Sequence, residues 1–388
     1  MFSARTRWDL SANRLNAALA AKRRRATRVL DLTESNPTRA GLTAPADLLA
    51  ALGHSASLLY EPAPFGLRSA REAVAADHAR RGREVDPDRI LLTASTSEAY
   101  AFLFKLLCDP GDEVLVPRPG YPLFEYLANL ESVRVSPYAL EYDGRWHLNA
   151  SALIGALTPR TRAVVVVNPN NPTGAFLKRD ELQALEAFCA ERRLALISDE
   201  VFADYAFTDD PHRAESVARD GPALAFCFGG LSKSCALPQL KLAWCVVSGP
   251  EALRREAWSR LEVVADTYLS VSTPVQHAAP ALLARRDELQ APVRARIASN
   301  LEELQARLAK ASPASLLEPE GGWSAVLRVP ATMPDEEIVL RLLDDHDVLV
   351  HPGYFFDFPR EAYLVLSLLP EPAVFAEGVA RTLDALVL

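Results

Sequence analysis

Arg162–Val167 is the stretch that most restricts what this chain can become. After its first residue it reads Ala-Val-Val-Val-Val, an unbroken apolar, β-branched run without the alternation of a strand that has one wet face. Such a run suits a central strand of a parallel sheet, covered on both sides. It ends in Asn168-Pro169-Asn170-Asn171-Pro172-Thr173-Gly174, a polar loop stiffened by two prolines. Open α/β sheets bind their ligands in the crevice beyond the carboxyl ends of strands like this one.

The surrounding pattern agrees. Short apolar runs at Arg89–Thr93, Glu113–Val116, Ser132–Ser136, Leu194–Ser198, Ala223–Phe228 and Leu242–Val247 read as strands. Helical periodicity fills Leu67–Arg81, Ala99–Leu107, Leu123–Leu130 and Lys178–Arg193, and Pro45–Leu52 reads as a helix stopping at Gly53. This alternation predicts a three-layer α/β/α domain with a mostly parallel sheet. From about Glu251 the pattern turns helical, with helices over Glu251–Ala265, Ala278–Leu289 and Val293–Ala311. A small separate sheet is expected from Trp323–Val329, Val348–Val350 and Leu364–Leu369, interrupted by a helix over Asp335–Asp344. With 388 residues, 49% of them hydrophobic, the chain is long enough for two cores. The division expected is a large domain over 46–275 and a smaller α+β domain built from 1–45 and 276–388.

Charge and cysteine usage narrow the function classes. A net charge of -8 gives no reason to expect nucleic-acid binding, and the basic run Lys22–Arg25 reads as the solvated face of an early helix. No stretch approaches the length of a charge-free membrane span, and the arginines near the start precede no long apolar segment. Cys108, Cys189, Cys227, Cys235 and Cys245 form no pair or Cys/His cluster with metal-ligand spacing, so no metal site is expected. Reduced thiols in the cytoplasm are the expectation.

Four separated stretches carry chemistry. Ser95-Thr96-Ser97-Glu98 opens a helix, and its free backbone N–H groups serve either an ordinary cap or a phosphate. Asn171 lies in the proline-rich loop. Asp199 directly follows a buried strand, as a helix cap or a ligand partner. Lys233 lies in Gly229-Gly230-Leu231-Ser232-Lys233-Ser234, between two apolar runs, with Lys241 eight residues later. A lysine presented at a sheet rim away from water has a lowered pKa and a usable amine.

Together these stretches resemble the fold-type-I pyridoxal-phosphate enzymes, specifically the class I/II aminotransferases, in order and spacing over essentially the whole chain. The resemblance implies the PLP-dependent transferase fold type I and pyridoxal 5'-phosphate as cofactor. It implies Lys233 as covalent anchor and proton carrier, Asp199 as partner of the ring nitrogen, and Asn171 as donor to the phenolic oxygen. Tyr121 would stack on the ring. Ser95, Thr96, Ser97, Ser232 and Lys241 would hold the phosphate, joined by Tyr60 from the partner subunit of a homodimer. The activity implied is ping-pong transfer from an amino donor to a keto or aldehyde acceptor. The same scaffold also supports lyase, decarboxylase or racemase chemistry, and a non-catalytic PLP-binding regulator is a further alternative.

Several positions depart from the family pattern. Lys241 stands where arginine is usual and Gly230 where a phosphate-binding serine often occurs. Phe202 replaces a tyrosine that donates to the phenolic oxygen, and Ser35 a glycine lining the substrate cavity. Val365 stands where relatives place an arginine that grips the substrate's α-carboxylate. The substrate then lacks that carboxylate, or another base such as Arg328 or Arg360 holds it, or ordinary transamination is lost. Tyr354 and Phe355, after His351, are expected to give the substrate pocket an apolar wall, with Ser35, Phe202 and Val365 as its other residues.

Overall fold

The computed structural model describes residues 1–310 and 312–387. Its centre is an eight-stranded sheet. In chain order the strands are β1 (Ile90–Thr93), β2 (Glu113–Arg118), β3 (Arg134–Tyr142), β4 (Trp146–Leu148), β5 (Thr161–Val167), β6 (Ala195–Asp199), β7 (Ala225–Gly230) and β8 (Ala243–Ser248). Their spatial order is β1-β8-β7-β6-β5-β2-β3-β4. Only β8 and β4 run against the rest.

Alternate residues of the central strands feed two separate cores. Leu115, Val164, Val166, Leu196 and Cys227 pack on one face, while Val114, Val165, Ile197, Phe226 and Phe228 pack on the other. Helices cover both, which accounts for the continuous apolar reading of β5. The expected three-layer α/β/α arrangement with a mostly parallel sheet is therefore present.

A third core collects the remaining chain. Helix Arg286–Leu308 contributes Val293, Ile297 and Leu304, and the N-terminal stretch contributes Leu15, Leu30 and Leu32. A second sheet of four strands has β9 (Ser315–Leu317), β10 (Ser324–Arg328), β11 (His351–Pro352) and β12 (Tyr363–Ser367) in the order β9-β10-β12-β11.

Several local readings need correction. Val348–Leu349 does not join this second sheet; it pairs in parallel with Leu30–Asp31, because Leu30, Leu32, Val348 and Val350 all bury in the third core. β3 is nine residues long and folds back on β4 through Asp143-Gly144-Arg145, with Gly144 at φ +111°. The segment over Pro45–Leu52 is a 3-10 helix, Ala46–Gly53. The helical break falls at Arg285, between Thr273–Ala284 and Arg286–Leu308, and the expected helix end at Ala311 lies outside the described residues.

Candidate active site

The carboxyl ends of parallel strands converge on one edge of the sheet, and each of four separated stretches begins there. Cross-strand register aligns Val167 with Asp199, Asp199 with Phe228, and Gly230 with Ala243, which in turn faces Thr93. Asn171, Asp199 and Lys233 thus lie at the ends of the neighbouring strands β5, β6 and β7, and Ser95 follows β1 across the intervening β8, although 138 residues separate the outermost two in sequence. Tyr121 follows the end of β2, the next strand along.

Asp199 is 7% exposed and accepts hydrogen bonds from Tyr100 Oη at 3.3 Å and Val201 N–H at 3.2 Å. Burial raises its pKa to about 6, against the lowering effect of those donors and of Lys233. It forms no salt bridge within 4.0 Å among the described residues. A buried carboxylate held open in this way is suited to a protonated ring nitrogen.

Lys233 belongs to a single turn, Leu231–Ser234, immediately after β7. It is half-buried, and burial pushes its pKa down to about 8, with Asp199 pulling the other way. Its Nζ lies 4.6 Å from the Trp323 ring centroid and 5.1 Å from that of Phe202. Two backbone contacts fix the turn: Tyr205 Oη donates to the Lys233 carbonyl at 2.6 Å, and Gln290 Nε2 to the Ser234 carbonyl at 2.7 Å. Trp323, 3% exposed, is a site residue that sequence reasoning took only for the start of a strand. The signal available was its place after Gly321-Gly322, where the chain passes against the backbone of Tyr205.

Ser95 caps helix Thr96–Leu107: its Oγ accepts from Glu98 N–H at 3.2 Å, and Glu98 accepts from Ala94 N–H at 2.7 Å. The cap reading is therefore correct for Ser95 and Glu98, while Thr96 and Ser97 are half-buried at the positive end of a 12-residue helix, where an anion is favoured. Ser232 is half-buried beside the lysine, and Lys241 is exposed at φ +52° on the segment entering β8. Tyr60 is 79% exposed and lines a separate cavity with none of the other expected site residues.

The proline-rich loop is held by its neighbours. Asn170 Nδ2 donates to Pro119 O at 3.1 Å and Thr173 Oγ1 at 3.0 Å. Gly174 sits at φ +73°, where a Cβ would meet Gly321 O at 2.5 Å. Asn171 is half-buried, and its side chain makes no hydrogen bond to the described residues. Its amide is left for a ligand.

In front of Tyr121 lies a cavity of about 700 Å³, lined among others by Arg118, His351, Phe355 and Phe356. Tyr121 is half-buried, and burial together with Asp199 pushes its pKa up to about 12. Val365 does not line this cavity. It is 2% exposed in an apolar cluster with Trp146, Leu317, Val326, Phe356 and Phe358, since β9, β10 and β12 turn that face of the second sheet toward Trp146. Tyr354 is 40% exposed and also lies outside the cavity lining, which takes Phe355 instead. Ser35 is exposed, in a loop tied to β12 by Ser367 Oγ donating to Glu34 O at 2.7 Å. Phe202 is half-buried, edge-on to Trp323 with ring centroids 5.3 Å apart. Arg328 and Arg360 are exposed and line none of the described cavities.

Comparison with known proteins agrees with this arrangement. The family model for aminotransferase class I and II matches residues 27–370. The glutamate-pyruvate aminotransferase AlaA of Escherichia coli is 27% identical, over 88% of this chain and 86% of that protein. The arginine–pyruvate transaminase AruH of Pseudomonas aeruginosa is 31% identical, over 78% and 76% respectively. The crystal structure of an aminotransferase from Escherichia coli superposes with a TM-score of 0.87 at 25% identity, covering 100% of this chain and 98% of its own.

Proposed function

The chain belongs to the aminotransferase class I and II family and is a pyridoxal-phosphate-dependent aminotransferase, and from that premise we propose how its own residues divide the work. The observation that carries the proposal is Lys233: a half-buried amine with a pKa of about 8 and no hydrogen-bond acceptor among the described residues, on the same sheet edge as Asp199, which has no cation within salt-bridge range among them.

The residues present fit the cofactor. A buried carboxylate without a cation partner, an amide without a hydrogen bond and a helix N-terminus with half-buried Thr96 and Ser97 match a ring nitrogen, a phenolic oxygen and a phosphate. Bound pyridoxal phosphate supplies an aldehyde for amine condensation and a ring that accepts the electrons released when a substrate Cα–H bond breaks. Lys233 Nζ is the nucleophile that anchors it and, once free, takes up and returns the proton. Asp199 keeps the ring nitrogen protonated, and Asn171 donates to the phenolic oxygen. Tyr121 packs on the ring face. The N–H groups of Ser95, Thr96 and Ser97 bind the phosphate, with the Ser232 hydroxyl and the Lys241 charge. A lysine supplies charge there without the bidentate fork of an arginine.

The reaction would be ping-pong: an amino donor gives up its nitrogen and leaves before a keto or aldehyde acceptor enters and takes it. Pyruvate as acceptor, with glutamate or arginine as donor, is the first combination to test, because those compounds stand in the relatives' printed names. A homodimer is part of the reading. Leu58, Leu59 and Tyr60 are 89%, 70% and 79% exposed, an apolar stretch suited to a second copy, and it would bring Tyr60 to the phosphate site of that copy. The five free cysteines support a reducing, cytoplasmic setting. No described helix is long and apolar enough to cross a membrane. Grouping 1–45 with the C-terminal part is supported by the pairing of Leu30–Asp31 with Val348–Leu349, whereas Ala278, Leu282 and Leu289 pack in a core of the large sheet, which moves the boundary expected at 275 to beyond Leu289.

Borohydride reduction followed by peptide mass spectrometry tests the anchor. The cofactor should be fixed on Lys233, and Lys233→Ala should lose both that adduct and the visible absorption of the bound cofactor. An unchanged covalent adduct in the variant would remove Lys233 from its role.

A further inference from the structure

We propose that Arg118 holds the carboxylate of the substrate, in the cavity in front of Tyr121, and that this cavity selects carboxylates with an aromatic or large apolar body. The inference deepens the aminotransferase reading and rests on it. It starts from the cavity's chemistry: Tyr121, Tyr126, Phe355 and Phe356 give it aromatic walls, and Arg118 and His351 stand among them.

Arg118 has donors to spare. Its Nε–H is buried without a partner among the described residues, and the one carboxylate among them within salt-bridge range, Asp357, is 3.7 Å away with a side chain 70% exposed. Arg162 shows what a committed arginine looks like in this molecule: its Nε and Nη2 grip Asp112 at 2.8 and 3.2 Å. A half-buried guanidinium whose outer nitrogens meet only one long, exposed ion-pair partner is matched to a planar, two-oxygen anion. His351 adds a second buried nitrogen without a partner, Nδ1. Burial lowers its pKa, so the ring is neutral and adds no competing charge.

The arginine is also held in place. It ends β2 and leads into Pro119-Gly120-Tyr121. Gly120 N–H donates to Phe356 O at 3.0 Å, and Asn170 Nδ2 donates to Pro119 O. One anchor is the loop that carries Phe355; the other is the neighbour of Asn171. The stem of Arg118 is thus tied to both walls of the cleft, which favours orientation of a bound substrate. Opposite, the second sheet offers no cation to this cavity: Val365, the cross-strand partner of His351, is sealed in its apolar cluster.

Three exposed charges bear on the electrostatics. Glu125 and Asp357 face the cavity as well as Arg134, but all three are exposed, where water screens them. An incoming carboxylate displaces only Asp357 from the long contact with Arg118.

The test is calorimetric titration of the purified holoenzyme with 3-phenylpropionate and with its uncharged match, 3-phenylpropanamide. Neither can be transaminated, so the readout does not depend on turnover. The acid should bind at least about tenfold more tightly than the amide. Arg118→Gln should abolish that preference and Arg118→Lys should keep part of it, with the absorption of the bound cofactor unchanged in both. Equal affinity for acid and amide in the natural protein, failure of the acid to bind, or an undiminished preference in Arg118→Gln overturns the proposal. Failure of the Lys233 reading appears elsewhere, as an adduct that survives Lys233→Ala.

Discussion

Amine reactivity in the cofactor-free protein tests the physical basis of the site directly. Burial takes Lys233 from an ordinary 10.5 to about 8. At about pH 7.5 an amine of pKa 10.5 is neutral in about one molecule in 1000, and one of pKa 8 in about one in four, so Lys233 should offer ~240 times more nucleophile than a surface lysine. Two effects oppose burial. The Asp199 charge favours the ammonium, and so do the faces of Phe202 and Trp323 near Nζ. Even about 2 kcal/mol of ring attraction returns the pKa by only ~1.5 units, still short of the ordinary value. Burial wins because aromatic faces accept none of the three N–H bonds an ammonium must leave unmade.

The assay follows labelling of the Lys233 peptide by fluorodinitrobenzene across the pH range. The inflection should fall below 10.5. Asp199→Asn removes the charge that holds the ammonium and should move the inflection lower still, whereas a carboxylate too distant to matter would leave it in place. An inflection at or above 10.5, or one that rises in Asp199→Asn, refutes the argument that burial activates this lysine.

Two further substitutions probe the cleft. Val365→Arg places a charge in an apolar cluster that leaves the residue 2% exposed. It should cost about 3–5 kcal/mol in denaturant unfolding without tightening carboxylate binding; a stable variant with improved binding would show the position to be open to the cleft. Gly120→Ala puts a Cβ 2.2 Å from Pro117 O, so it should destabilise by about 1–3 kcal/mol and weaken 3-phenylpropionate binding by displacing Arg118. Unaltered stability and affinity would mean that the loop relaxes freely.

The cofactor half of the cleft was legible because its determinants are local. A buried β-branched strand followed by a polar loop, a Ser/Thr helix start and a lysine between apolar runs each announce themselves within about ten residues, and the sheet then brings them together. The hairpin through Asp143-Gly144-Arg145 has a turn signal of its own in Gly144, but its second strand, Trp146–Leu148, is too short to carry a period. The pairing of Val348–Leu349 with Leu30–Asp31 was not legible, since two-residue strands carry no period and their partner choice depends on which core buries them.

The substrate half depends on contacts through space, and there position in the sequence misleads. Val365 draws attention because an arginine is missing, yet its place is filled rather than vacated: Trp146, Phe356 and Phe358 close over it. Tyr354 and Phe355 are neighbours in sequence, but only Phe355 reaches the cavity. Arg118 carries no motif of its own and becomes visible only through an unpaired Nε–H, a weak exposed partner and a loop tied down at both sides. A cation moved from the second sheet to the end of β2 would grip its anion from the same wall that supports Tyr121, so carboxylate recognition and ring stacking would share one rigid loop. A backbone change in this loop, such as Gly120→Ala, should then disturb substrate affinity and cofactor geometry together, whereas a side-chain change at Arg118 should alter affinity alone and changes at β12 should register chiefly as stability.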